Sequence, residues 1–174
     1  MGRDKALLEL GGKKLVEIAV DSLSAVAETV KIVGLRSEYA GKSELIPDAS
    51  DGRGAVIGLY TALADCETEY AAVLACDLPF ADAGLLRSLV DSIGDQDAAM
   101  PMQQDGRSQP LCALYRVVAC LPVIEAIVAS DNWRLQQLSD LLRVSFTKPS
   151  DTRWSINVNT PAELQSAVKI ADNG

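Results

Sequence analysis

The stretch Cys76-Asp77-Leu78-Pro79-Phe80, directly behind the apolar run Tyr70-Ala71-Ala72-Val73-Leu74-Ala75, decides the fold of this chain. The run has the length and character of a buried strand. An aspartate at the carboxyl end of such a strand stands where open α/β sheets bind their ligands. Pro79 cannot continue the ladder, so the Asp77 carboxylate is delivered at the sheet edge and not within it. A hard carboxylate there suits Mg²⁺ and, through the metal, phosphates. Asp77 is equally able to start a turn or cap the next helix.

Outward from this strand, apolar segments alternate with helical ones. Leu7 to Lys14, with Gly11-Gly12 at its centre, reads as a tight hairpin-like turn. Leu15, Ile18, Ala19, Val20, Leu23 and Val26 keep helical spacing. Strands are predicted at Thr29–Val33 and Leu45–Ile46, and a helix opened by glycines at Val56–Ala64. After the Tyr70 strand come a helix over Leu85–Ile93 entered at Asp82, and two strands, Asp97–Met102 and Leu111–Tyr115, around an Asp105-Gly106 turn. Helices over Pro122–Ala129 and Trp133–Leu142 and a strand at Val144–Phe146 follow. Thr160-Pro161-Ala162-Glu163 is a capping box with proline at the first helical position, and Leu164, Ala167, Val168 and Ala171 are the expected buried face behind it. The alternation predicts one α/β domain over residues 1–174, Rossmann-like, with a mostly parallel sheet and helices on both faces. The chain opens in a polar loop, so the first strand that usually leads into such a loop is expected to be missing.

Composition narrows the chemistry. The chain has 174 residues, 48% apolar and 23% charged, with a net charge of −8. That is enough chain for a sizeable core. The negative balance argues against a nucleic-acid or membrane-surface binder. No run is long enough to span a bilayer and no leader pattern is present, so the expectation is cytoplasmic. Cys66, Cys76, Cys112 and Cys120 show no zinc spacing, and Cys76 and Cys112 read as core thiols. The chain contains no histidine, which removes histidine-based nucleophile systems and metal sites. Carboxylates, cations, amides and backbone groups must carry the chemistry.

Gly52-Arg53-Gly54-Ala55-Val56-Ile57-Gly58 opens a helix after a strand. Its G-x-G-x-x-x-G spacing is similar to one form of dinucleotide fingerprint, so an NAD(P)-dependent oxidoreductase is a rival reading. As a plain glycine-rich turn it still presents helix N–H groups to an anionic or polar ligand. Gly11-Gly12-Lys13-Lys14 lacks P-loop spacing. Lys5 could neutralise phosphate charge from its loop, and the amides of Asn157-Val158-Asn159-Thr160 could cap a helix or supply neutral oxygens to a metal.

Met1-Gly2-Arg3-Asp4-Lys5, Asp48 with Gly52-x-Gly54, Cys76–Phe80, Gln109–Tyr115 and Asn157–Pro161 occur in this order along nearly the whole chain. The ordered set resembles the molybdenum cofactor guanylyltransferase family, within the MobA-like nucleotidyltransferases. The resemblance implies a nucleotidyltransferase fold and transfer of GMP from GTP onto the terminal phosphate of a molybdopterin cofactor, with pyrophosphate released. It implies Mg²⁺ as cofactor, and molybdoenzymes or cofactor-biosynthesis proteins as partners. Residue by residue, Asp77 resembles the Mg²⁺-binding aspartate and Asn159 a second ligand. Lys5 resembles the lysine that meets the nucleotide phosphates. Asp48, Gly54 and Gly58 match the segment holding guanosine. Of the family pattern L-A-G-G-x-S-x-R-M-G-x-D-K only the tail from Met1 is present, and Ala55 replaces the usual proline. An inactive or regulatory nucleotide-binding fragment of the same family is therefore a third reading.

Overall fold

The computed structural model describes residues 5–34, 39, 43–49, 54–130 and 134–172. A 3₁₀ turn at Lys5–Leu7 leads into a small hairpin, β1 (Glu9–Leu10) with β2 (Lys13–Lys14), antiparallel as expected. Gly11 and Gly12 have φ of 59° and 78°, the double left-handed turn that matches strand twist and that glycine adopts without steric cost. Helix α1 (Leu15–Ser24) follows. Strands β3 (Lys31–Val33) and β4 (Glu44–Ile46) pair in parallel.

Helix α2 (Ala55–Ala64) leads to β5 (Tyr70–Leu74), and α3 (Ala83–Ser92) to β6 (Ala98–Pro101). Strand β7 (Cys112–Arg116) runs straight into α4 (Val117–Ala129). The chain finishes with α5 (Leu138–Leu141), β8 (Val144–Thr147) and α6 (Pro161–Asp172). The Asp82 carboxylate caps α3 by accepting from the Leu85 N–H at 2.9 Å, as its position predicts.

The larger sheet has the order β5–β7–β6–β8. Strand β7 is antiparallel to both neighbours, while β6 and β8 are parallel. The sheet, expected to be mostly parallel, is thus mixed. The reason is the β6–β7 connection, closed by the Gly106 N–H donating to the Gln103 carbonyl and by a Met102–Ser108 bridge. It is a short loop, and parallel neighbours need a crossover. Because β7 reverses, β5, β6 and β8 all point the same way. Their carboxyl ends therefore share one edge.

Alternation along the strands separates two cores, so helices do cover both faces. Ala98, Met100, Ala113 and Tyr115 pack under α2 and α4 with Leu59, Leu63 and Ile124. Ala99, Cys112 and Leu114 pack under α3 with Leu86 and Leu89. The Tyr115 hydroxyl, wholly buried, donates to the Pro110 carbonyl at 2.7 Å, so its polar end is satisfied. Cys112 and Cys120 are reduced core thiols, and burial pushes both up to about 12. Cys76, expected in the core, is only half-buried.

Three expectations need correction. Helix α4 begins at Val117, not at Pro122, and carries the proline inside it. The lost N–H would have met the Val118 carbonyl, on a residue 78% exposed, where water is available to that oxygen. Helix α5 is one turn behind a 3₁₀ turn at Leu135–Gln137, and Trp133 lies outside the described residues. On α6 only Ala167 is buried, with Leu164 half-buried; Val168 and Ala171 are exposed, because the helix rests on a narrow contact and not in a groove. That contact is a third cluster, in which Leu10, Leu15, Val158 and Ala167 gather Leu8, Ile18, Phe80 and Leu164.

Between β3 and β5 no ladder joins the two sheets among the described residues. Each strand has one paired side. All five β5 residues and all three of β3 are half-buried, in contrast to the buried β6.

Candidate active site

The third cluster positions the site, because three polar side chains stand at its rim. Lys5 precedes Leu8, Asp77 lies between Cys76 and Phe80, and Asn159 follows Val158. The Val158 N–H donates to the Asp77 carbonyl at 2.9 Å, which clasps the Asn157–Asn159 segment to the end of β5. Above this clasp the Lys5 ammonium donates to Asp77 Oδ2 and to Asn159 Oδ1, both at 2.8 Å. Residues 72 and 154 positions from Lys5 thus converge on one cation. The side chains of Lys5 and Asp77 are 46% and 18% exposed, so the ion pair by itself stabilises the fold by at most about 1 kcal/mol.

Asn159 is held from behind by the predicted capping box. One oxygen of Glu163 accepts from the Asn159 and Thr160 N–H groups, both at 2.8 Å, and the Glu163 N–H donates back to the Thr160 hydroxyl at 3.2 Å. Donation from the Asn159 N–H first, and then from the Thr160 hydroxyl, holds the Glu163 carboxyl below the usual glutamate range.

A carboxylate oxygen and an amide carbonyl oxygen aimed at the same cation form a hard donor pair. This pair fits Mg²⁺, which takes one or two protein oxygens and completes its shell with substrate phosphates and water. Among the described residues no group of three or more acidic or thiol side chains offers a fuller cage.

The remaining sequence-predicted residues lie on the β3–β4 side. Asp48 follows β4 and is exposed, with no side-chain bond to the Lys5 cluster among the described residues. The Ala49 N–H donates to the buried Thr61 hydroxyl at 2.9 Å, which docks this segment on α2. Gly54 is the N-cap of α2, with φ of 112°, a conformation that favours glycine. It offers no side-chain cap, and the N–H groups of Ala55 and Val56 find no acceptor among the described residues. A Cβ at Gly58 would meet nothing within 4 Å. Met1 to Asp4 and Gly52-Arg53 lie outside the described residues.

One feature escapes the sequence pattern. A cleft of about 370 Å³ opens at the carboxyl ends of β6 and β8, lined by Gln103 and Gln104 from one side and Lys148, Ser150, Thr152 and Trp154 from the other. These residues fall in two loop stretches, 102–106 and 148–155, and the parallel pairing of β6 with β8 brings the two together.

No helix among the described residues is long and apolar enough to cross a membrane. The chain is 30% identical to the "Probable molybdenum cofactor guanylyltransferase" of Geobacillus sp. (strain WCH70), over 96% of this chain and 91% of the relative. It is 29% identical to the "Molybdenum cofactor guanylyltransferase" of Desulfosudis oleivorans, over 95% and 86%. In fold it is similar to the crystal structure of molybdopterin-guanine dinucleotide biosynthesis protein A from Archaeoglobus fulgidus, with a TM-score of 0.80 at 24% identity, covering 99% of this chain and 93% of that one. The 2-C-methyl-D-erythritol 4-phosphate cytidylyltransferase of Thermus thermophilus gives 0.74 at 16% identity, over 97% and 94%. None of these matches supports the oxidoreductase reading. A profile of the MobA-like NTP transferase domain matches residues 1–147, and with these relatives it makes this chain a member of the MobA-like NTP transferase family.

Proposed function

We propose that this chain transfers the guanylyl group of GTP to the terminal phosphate of a molybdopterin cofactor in the cytoplasm, releasing pyrophosphate. The observation that carries the reading is the convergence of Asp77 and Asn159 on one cation position at the carboxyl end of β5. The names of the relatives supply the substrates.

An oxygen of the acceptor phosphate attacks the α-phosphorus of GTP. A P–O bond forms there, and the bond to the β-phosphate oxygen breaks as pyrophosphate leaves. The attacking phosphate is already ionised, so no general base is required, in keeping with a chain that lacks histidine. Asp77 and Asn159 would hold Mg²⁺, which when bound neutralises charge on the triphosphate and on the leaving group. The Lys5 ammonium, half in solvent, has the freedom to trade its two oxygens for phosphate oxygens. The open first turn of α2 and the space above Gly58 leave room for the nucleoside beside Asp48. A carboxylate can accept two hydrogen bonds from the N1–H and 2-amino edge of guanine, which adenine does not present.

Pyrophosphate release with GTP, ATP or CTP and a molybdopterin acceptor, with and without Mg²⁺, tests the reading. Turnover is expected with GTP and Mg²⁺ alone. Tighter binding of NADPH than of GTP at one competed site would overturn it.

A further inference from the structure

A capping box asks one bond of its last residue: the side chain at N3 accepts from the N–H of the N-cap. At the start of α6 that bond runs from the Thr160 N–H to Glu163 Oε2 at 2.8 Å. The Thr160 hydroxyl donates to the same oxygen at 3.1 Å. The oxygen then takes a further bond that capping does not require, from the Asn159 N–H, also at 2.8 Å. Asn159 precedes the N-cap, so this bond does nothing for the helix. It acts on Asn159.

The effect is on backbone direction. The Asn159 N–H belongs to the peptide plane on one side of the Asn159 Cα, and the Thr160 N–H to the plane on the other. One Glu163 oxygen therefore holds both planes that meet at this Cα. The two rotations between those planes are the only soft backbone torsions of the residue, and they set where its side chain leaves the chain. One residue earlier, the wholly buried Val158 donates its N–H to the Asp77 carbonyl at 2.9 Å. The segment is thus anchored to the end of β5 on one side and to α6 on the other.

This matters because nothing else aims the Asn159 amide. The residue is exposed, so core packing does not hold its side chain. Its Oδ1 nevertheless meets the Lys5 ammonium at 2.8 Å, at the position shared with Asp77. Glu163 itself makes no bond to Lys5 or Asp77 among the described residues; its carboxylate is spent on the segment that carries Asn159. Partners of this kind, which orient a metal-binding side chain without touching the metal, are commonly worth 10- to 100-fold in metal affinity.

We infer that Glu163 is a positioning residue of the cation site: by holding both peptide planes of Asn159, it presets the amide oxygen that stands with the Asp77 carboxylate. The inference rests on the reading that Asp77 and Asn159 hold the metal of the transfer reaction, and the experiment separates the two.

Mn²⁺ favours the same oxygen ligands as Mg²⁺. Mn²⁺ alone is titrated into each protein, and binding is read from the paramagnetic resonance signal of the free ion. The component that Asp77→Asn abolishes reports the site. Glu163→Ala removes the bonds to Asn159 and is expected to weaken that component about tenfold or more. Glu163→Gln keeps an oxygen able to accept both N–H groups and loses only an exposed, screened charge, so it is expected to cost about threefold at most. Gln165→Gly loosens the same helix from an exposed position without touching Asn159; it is expected to lower the melting temperature and leave Mn²⁺ binding unchanged. In the transfer assay, Glu163→Ala is expected to raise the Mg²⁺ concentration for half-maximal rate about tenfold, with kcat regained at saturating Mg²⁺.

If no nucleotide is transferred but the Mn²⁺ pattern holds, the transfer reading falls and the positioning role stands. If transfer proceeds and Glu163→Ala binds Mn²⁺ like the parental protein, the positioning role falls and the transfer reading stands. A loss in Glu163→Gln as large as in Glu163→Ala would mean that charge acts and not position. An equal loss in Gln165→Gly would reduce the role to helix stability. Absence of any Asp77-dependent Mn²⁺ binding would overturn the inference outright.

Discussion

Two parts of the sheet differ in a way that their sequences do not. Strands β5, β6 and β7 are all short apolar runs. Ala98, Ala99 and Met100 of β6 and Cys112, Ala113 and Tyr115 of β7 are wholly buried, because each strand is paired on both sides and covered on both faces. Among the described residues strand β5 is paired on one side only, and all its residues remain half-buried, as do those of β3. An apolar run therefore makes a strand, but only neighbours on both sides make it core. The sealed part carries stability. The cation site, by contrast, hangs from the end of the open strand. In α/β sheets such ends are where ligands enter, so reduced packing there is compatible with a site that must admit substrate.

The largest effect should come from the open part, without loss of fold. Asp77→Asn removes charge from the cation position and is expected to lower transfer by ~10² or more with an unchanged melting temperature. Parental turnover in a folded Asp77→Asn protein would show that the carboxylate is not a metal ligand.

Core truncation sharpens the contrast in stability. Met100→Ala in β6 is expected to cost about 2–5 kcal/mol, and Val73→Ala in half-buried β5 about 1 kcal/mol, by denaturant titration. Equal costs would mean that β5 is as sealed as β6.

The smallest effect concerns the entry to the sealed part. Asp97 accepts from the Arg143 side chain at 2.7 Å and from its backbone N–H at 3.0 Å, and these bonds hold its carboxyl below the usual aspartate range. A depressed carboxyl contributes stability above its unfolded pKa, and that stability is lost as pH falls through the folded one. Asp97→Asn is therefore expected to lower stability near pH 7 by about 1 kcal/mol, since Arg143 is largely exposed, and to flatten the acid limb of melting temperature against pH. An unaltered acid limb would assign that limb to other carboxylates.

Much of the site was legible because its signals are local. Asp77 behind an apolar run, the Thr160–Glu163 capping box, the Asp82 cap and the Gly11-Gly12 turn each depend on residues within a few positions. All four stand where their patterns predict. The sharing of one ammonium by Asp77 and Asn159 was not legible, since it closes a separation of 154 residues between Lys5 and Asn159. Nor was the parallel pairing of β6 with β8, which joins strands far apart in the chain, whereas the Asp105-Gly106 turn already signals the reversal of β7.

The sequence by itself determined the alternation of strands and helices, the helix caps, a chemistry without histidine and the placing of a carboxylate at a strand end. These depend on side-chain type and short-range geometry. Tertiary structure alone decided which apolar runs are core and which oxygens share a cation. It also gathered Lys148, Gln103 and Trp154 around one cleft. Each of these depends on pairing between segments far apart in the chain, where burial and electrostatics are set by the neighbours that folding supplies.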